Sequence, residues 1–202
     1  MLAIFYNKTT LRDTLLINFN DKITVNHITN DDFAYGLDSN NKLTFLNIFS
    51  CSKYLNIPEG YLYLDRNLKQ LILDKLSIDL TTYEKEMPFK VGKVIKCELM
   101  PNTHLHHCEV DIGNEILSIV CGAPNVKKDI NVVVAQVGAM MPNGLEIKSN
   151  TLRGYESNGM ICSKRELMID NNKFNNDGII ELSLDVGIGT NFMDLYKNYK
   201  SD

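Results

Sequence analysis

The sequence predicts two domains, an α+β domain over residues 1–87 and an all-β barrel domain over residues 88–202. Three observations carry that division. Glycine is uneven: two of the twelve, Gly36 and Gly60, precede residue 90 and ten follow it. Frequent glycine between short apolar runs marks tight turns joining short strands. In the first half Leu68, Leu71, Ile72, Leu76 and Leu80 recur at helical spacing. Between the halves lies the polar stretch Thr81-Thr82-Tyr83-Glu84-Lys85-Glu86, closed by Met87-Pro88, where proline disfavours helix in the residue before it. A chain of 202 residues is long enough for two domains of modest size.

The elements follow in order. Strand-like runs occupy Ala3–Tyr6, Thr14–Phe19, Phe33–Leu37 and Leu43–Phe49, and the leucine-rich helix begins behind an N-cap at Asp65. After the linker, Phe89, Val91, Ile95 and Cys97 alternate with Lys90, Lys96 and Glu98. Cys108, Val110 and Ile112 alternate with His107, Glu109 and Asp111, which predicts a half-buried strand. Gly113-Asn114 is a two-residue hairpin signal, and Glu115 to Cys121 returns as the next strand. Ile116, Leu117, Ile119 and Val120 are apolar on both faces, which predicts a covered, central strand. Val132 to Ala135 forms another such run, and Gly178 to Leu182 a last short one. About five antiparallel strands in ~100 residues fit an OB-fold barrel, whose face and loops commonly bind nucleic acid.

Charge and composition exclude several classes. With 21 basic and 25 acidic residues the net charge is −4, so this is no strongly basic coat protein, and any nucleic-acid binding must use a local patch or shape. The longest apolar run, Met1 to Tyr6, falls far short of the ~20 residues of a spanning helix. It also lacks the basic start of a secretory leader. Five cysteines, at 51, 97, 108, 121 and 162, are odd in number and form no C-x-x-C pair. Free thiols in a reducing cytoplasm are therefore expected, with no disulfide framework.

No phosphate loop, dinucleotide fingerprint, H-E-x-x-H zinc site or nucleophile elbow occurs. Gly187-Ile188-Gly189 lacks a third glycine. His104-Leu105-His106-His107-Cys108 is rich in metal-ligating side chains. A pleated strand starting near His107 cannot turn residues 106, 107 and 108 onto one ion, so the expectation is no metal. Its imidazoles could instead meet phosphate or stack on a base. Cys162 stands beside Ser163, Lys164 and Arg165, cations that would lower a thiol pKa. With no base or oxyanion site beside it, a buried structural thiol is the reading. Lys127-Lys128 and Lys164-Arg165 read as solvated pairs. The chain is expected to be no enzyme and to need no cofactor.

The run Ile119-Val120-Cys121-Gly122-Ala123-Pro124-Asn125-Val126 and the later Met141-Pro142-Asn143-Gly144-Leu145 carry a resemblance. So do Leu152-Arg153-Gly154-Tyr155-Glu156-Ser157-Asn158-Gly159-Met160-Ile161-Cys162-Ser163, Glu166-Leu167 and Asp177-Gly178-Ile179. Together they resemble the tRNA-binding OB domain at the front of the bacterial phenylalanyl-tRNA synthetase β subunit, over about residues 89–192. Free-standing bacterial tRNA-binding proteins of the YtpR kind are similar too. They carry an extra N-terminal domain, which residues 1–87 resemble more loosely through Phe5-Tyr6-Asn7-Lys8, Asp13-Thr14-Leu15-Leu16 and Asn47-Ile48-Phe49.

The resemblance implies a cytoplasmic OB-fold protein that binds tRNA mainly by shape, without chemistry of its own, as a homodimer and without a membrane. An aminoacyl-tRNA synthetase is then a candidate partner. The R-G-x-x-S-x-G-M run of the family contributes to its tRNA surface, which here implies Arg153, Ser157 and Met160. Lys164, Asn102 and His104 flank it as further nucleic-acid-binding candidates. Gly154 and Gly159 also read as turn-shaping residues, and Met160 as a plug for the barrel mouth. Where the family has H-P-N-A-D-K-L, this sequence has Met100-Pro101-Asn102-Thr103-His104-Leu105, one residue shorter, with His104 in the lysine's place. A protein-interaction adaptor whose OB domain has lost useful RNA affinity is the second reading.

Overall fold

Leu15 and Ile17 lie buried on one side of a five-residue strand whose other residues face outward, and that alternation organises the first half. The structure, a computed structural model, describes residues 3–20, 22–57, 59–62, 64, 66–81, 83, 88–169 and 172–200. It divides into two units, Met1–Lys85 and Glu86–Asp202. Of the expected linker, Thr82 and residues 84–87 lie outside the described residues, as does the expected N-cap Asp65.

The first unit holds strands β1 (Ala3–Asn7), β2 (Thr14–Asn18), β3 (Asn26–Thr29), β4 (Phe33–Leu37), β5 (Leu43–Ile48) and β6 (Gly60–Leu62) and the helix α1 (Arg66–Leu76). All six strands form one antiparallel sheet in the order β3-β4-β5-β2-β1-β6. Its apolar face (Ile4, Leu15, Ile17, Leu46, Ile48) shares one core with Leu68 and Ile72 of α1. Burying a side chain of this size is worth roughly 1.5–3 kcal/mol. Among the described residues the unit is thus mainly β, with one 11-residue α-helix, where the sequence predicted an α+β domain. Two strands escaped that reading. Strand β3 is exposed at all four residues, an edge strand with no alternation to detect, and β6 is only three residues long. Leu80, counted with the helix, is buried beyond its end.

Asp38 closes the β4–β5 turn. Its Oδ1 accepts from Asn40 N at 2.8 Å and Lys42 N at 3.0 Å, while Lys22 Nζ stands 3.5 Å from Oδ2. The backbone N–H of Lys42, opposed in part by desolvation and helped by Asn40 and Lys22, holds this carboxyl below the usual carboxylate range. A depressed folded pKa contributes stability that is present above the unfolded value of about 3.9 and is lost as pH falls through the folded pKa. Asp38→Asn is therefore expected to destabilise the chain at neutral pH. The gap in urea midpoint from the wild type should narrow as pH drops below about 4. A gap independent of pH would show that the charge on Asp38 contributes nothing.

The second unit is the expected barrel. It comprises β7 (Phe89–Leu99), β8 (His106–Asp111), β9 (Ile116–Cys121), β10 (Asn131–Gln136), β11 (Asn150–Leu152), β12 (Tyr155–Ser157), β13 (Gly159–Ile161), β14 (Glu181–Leu182) and the helix α2 (Phe192–Lys200). The main sheet runs β13-β10-β7-β8-β9, with β14 also on β10. Strand β7 serves two neighbours: residues 89–93 pair with β10, and residues 93–99 with β8. A register shift between Val94 and Lys96 lets so long a strand bend from one to the other. Val94, Cys108, Val110, Ile112, Ile119, Val132, Val134 and Ile161 fill the interior.

Strand β9 corrects one expectation. It is the end of the paired ladder rather than a central strand, and Ile116 is exposed. The segment after β12 seals its free edge: Asn158 N donates to Ser118 O at 2.7 Å and Val120 N to Ser157 Oγ at 3.1 Å. The barrel is thereby nearly closed. The expected run Gly178–Leu182 contributes only Glu181–Leu182 as a strand, with Ile179 bridging to Ser163.

Candidate nucleic-acid interface

The R-G-x-x-S-x-G-M run folds as a hairpin and a return strand. Strands β11 and β12 pair from Asn150↔Ser157 to Leu152↔Tyr155, leaving Arg153 and Gly154 as a two-residue loop. Both loop residues have positive φ, 52° and 84°, the form whose twist suits a two-residue hairpin. Arg153 is thus held at an exposed tip. Among the described residues it has no ion-pair partner.

Below the tip, the hairpin lies on the outside of β8 and β9. The Tyr155 ring stands 5.0 Å from that of His107, centroid to centroid. His107 Nε2 is 2.8 Å from Ser118 Oγ, which donates to Glu156 O at 2.7 Å. His107 thus faces outward while Cys108, its neighbour, faces the core, 3.7 Å from the Cys97 sulfur. Among the described residues no group of three His, Cys, Asp or Glu is arranged to hold a metal ion. The pair Tyr155–His107 went unnoticed in the sequence because only the hairpin brings the two rings together.

Ser157, expected to offer its hydroxyl to RNA, is half-buried. Its Oγ accepts from Val120 N at 3.1 Å and lies 3.4 Å from Gly159 O. That hydroxyl is used to close the barrel. Met160, opposite Ala135 on β13, is half-buried and lines a cleft of about 490 Å³. Its other walls are Val120–Ala123, Ile161, Ser163, Arg165, Glu166 and Asn176–Ile179. Lys164 Nζ donates to Asn176 Oδ1 at the cleft wall. His104 stands beside Gly122, a wall residue of the cleft: a Cβ placed on Gly122 would lie 3.8 Å from His104 Nε2. Asn102, exposed and at φ 57°, sits on the same turn, which Met100 N→Leu105 O at 2.8 Å closes.

Of the expected residues only Met160 lines this cleft; Lys164 is bonded to the wall residue Asn176, His104 stands beside the wall residue Gly122, and Ser157 is bonded to Val120. Arg153 stands apart from them, at the hairpin tip beyond the end of β12. Arg165 also lines the cleft and has no ion-pair partner among the described residues. In the sequence it read as half of a solvated pair. Glu166 does not project freely there: its Oε2 accepts from Ser163 N at 2.7 Å and Ser163 Oγ at 2.6 Å. Cys162 behind the turn is fully buried, and burial, then the Glu166 charge, pushes its thiol well up. The cations beside it in sequence do not activate it.

A family model described as "Putative tRNA binding domain" matches residues 89–191. The "Uncharacterized protein MG449 homolog" of Mycoplasma pneumoniae is 35% identical over 98% of this chain and 87% of its own length. The "Putative tRNA-binding protein YtpR" of Bacillus subtilis is 41% identical over 81% of this chain and 86% of that protein. A phenylalanine–tRNA ligase β subunit from Sulfurimonas denitrificans is 42% identical over 61% of this chain, which spans only 16% of that subunit.

Proposed function

The chain belongs to the tRNA-binding domain family, and on that premise we propose that it is a non-catalytic tRNA-binding protein recognising tRNA mainly by shape and backbone contacts. The observation that carries this reading is the guanidinium of Arg153, without an ion-pair partner among the described residues and fixed at a hairpin tip within the region the family model matches. Phosphate contacts of this kind position a nucleic acid without reading sequence. The cleft beside Met160, with Lys164, Arg165 and His104 around it, offers cationic and polar groups to the same ligand. In this reading residues 88–202 carry the function and 1–87 form a separate domain. The protein works in the cytoplasm as a homodimer, and an aminoacyl-tRNA synthetase is the partner class that shares its ligand. Among the described residues, no helix is long and apolar enough to cross a membrane.

The second reading, an interaction adaptor, draws on the outer face of β7 and β8. There Lys96 is spent between Glu98 and Glu109, at 3.3 and 3.6 Å. Filter binding of unmodified tRNA across a salt series separates the two. Binding through phosphates weakens steeply with salt, and Arg153→Ala should weaken all tRNAs alike, lowering the log–log slope by ~0.7–0.9. Affinity and slope unchanged in Arg153→Ala would move the site off the hairpin. No binding at low salt by the wild type would favour the adaptor.

A further inference from the structure

We propose that Cys97 and Cys108 are a peroxide-oxidisable dithiol, a site of reversible disulfide modification across the β7–β8 ladder. The site lies in the barrel wall and is independent of RNA binding. The two residues are direct partners in the antiparallel ladder, and their sulfurs are 3.7 Å apart. Directly opposed antiparallel residues have Cα atoms about 4.5–5.5 Å apart, inside the range of about 4.4–6.8 Å that a disulfide spans. The sulfurs need only close by about 1.7 Å to reach bonding distance, a movement that side-chain rotation supplies.

The β7 bulge creates this pairing. Before it, Val94 faces Val110; after it, Lys96 faces Glu109 and Cys97 faces Cys108. An unshifted ladder would set Cys97 against His107. The two thiols also differ in access. Cys97 is half-buried at the edge of the core, and Cys108 is fully buried. Desolvation, then the neighbouring Cys97, pushes the Cys108 thiol up, so it is the poorer first nucleophile.

The oxidant is hydrogen peroxide. The Cys97 thiolate attacks one peroxide oxygen; an S–O bond forms, the O–O bond breaks, and the departing hydroxide takes a proton to leave as water. Cys108, its sulfur 3.7 Å from that of Cys97, then attacks the sulfenic sulfur. The S–S bond forms, the S–O bond breaks, and a second water leaves with the Cys108 proton. Two electrons pass from the sulfurs to the peroxide. Of the remaining cysteines, Cys51 belongs to the other unit and Cys162 is buried behind the Ser163–Glu166 turn. Cys121, on the adjacent strand β9 and in the same core, is the competing thiol, but in the ladder it opposes His106 and neither Cys97 nor Cys108.

The test treats reduced full-length protein with a small excess of hydrogen peroxide, then denatures, alkylates and digests it for mass spectrometry. The expected product is a Cys97–Cys108 cross-linked peptide pair, about 2 Da lighter than the separate peptides. Free thiols should fall from the five of the reduced chain to three, and dithiothreitol should restore them. The oxidised form should melt higher than the reduced one, because the cross-link fits the native register. Cys97→Ser, a change at the half-buried position that leaves the core thiol in place, should keep all its remaining thiols at the same dose. Cys108→Ser should instead carry Cys97 on to sulfinic acid. A cross-link to Cys121, a wild-type Cys97 that stops at sulfenic or sulfinic acid, or a lower melting temperature on oxidation would each overturn the proposal.

Discussion

Gly159→Val is expected to destabilise the barrel unit by about 3 kcal/mol or more, the sum of a backbone penalty of roughly 1–3 and an overpacking penalty of roughly 1–3. Gly159 adopts φ 154° where the chain turns from β12 into β13. A Cβ there would lie 3.0 Å from the Ala135 carbonyl oxygen and 3.3 Å from Ile119 Cδ1. The carbonyl belongs to strand β10, paired on both sides with β7 and β13, and cannot retreat without loosening the ladder. Gly138→Ala supplies the comparison. That residue has φ 86° with nothing within 4 Å of its Cβ position, so it loses only the backbone part, about 1–2 kcal/mol. Urea denaturation of the two variants measures the difference. Equal losses would mean that the barrel does not close as tightly at Gly159 as the distances imply.

Asn125→Ala should cost about 2–3 kcal/mol and loosen the loop over residues 175–181. Asn125 Oδ1 accepts from Ile179 N at 3.0 Å, and Nδ2 donates to Ile179 O and Glu181 Oε1, each at 3.0 Å. Ile179 is only 2% exposed. Its carbonyl keeps a second partner in Asn175 Nδ2 at 2.8 Å, but its N–H would be left to a truncated side chain. An unsatisfied buried donor costs about 1–3 kcal/mol, and each lost hydrogen bond about 0.5–1.5. Gly178 is what allows so close an approach: at φ 73°, a Cβ on it would fall 2.0 Å from Asn125 Oδ1. Hydrogen exchange should show faster opening of the Ile179 amide in the variant. Asn125→Asp would keep the acceptor for that amide but set a carboxylate against Glu181. Its stability should therefore recover as pH falls toward about 4, where carboxylates protonate. Unchanged exchange at Ile179 would show that the loop is held by other contacts, such as Lys127–Glu181 at 3.3 Å.

Much of the barrel was legible in the linear chain because its determinants are local. The alternation of Cys108, Val110 and Ile112 places one face inside, and Gly113, at φ 93°, makes the two-residue turn that its sequence position announces. The helix at Arg66–Leu76 followed from its leucine spacing, and the ordered motifs from Gly122 to Gly178 pointed to the family. An edge strand such as β3 left no trace, since a strand exposed on both faces carries no periodicity.

The site was another matter. That Arg153 would stand exposed follows from the turn it makes, but that the Ser157 hydroxyl would be consumed by Val120 N does not. Nor could the chain order show that His104 comes beside Gly122, or that Lys164 anchors on Asn176. Those meetings arise when strands far apart in sequence close into a barrel, where pairing register and loop packing replace local propensity as the deciding forces. The cysteines show the division most plainly. Their number and lack of C-x-x-C spacing were read from the sequence, which thereby determined free thiols as the expectation. Tertiary structure alone set Cys97 against Cys108, because one extra residue in β7 moved the register of the ladder by a single position.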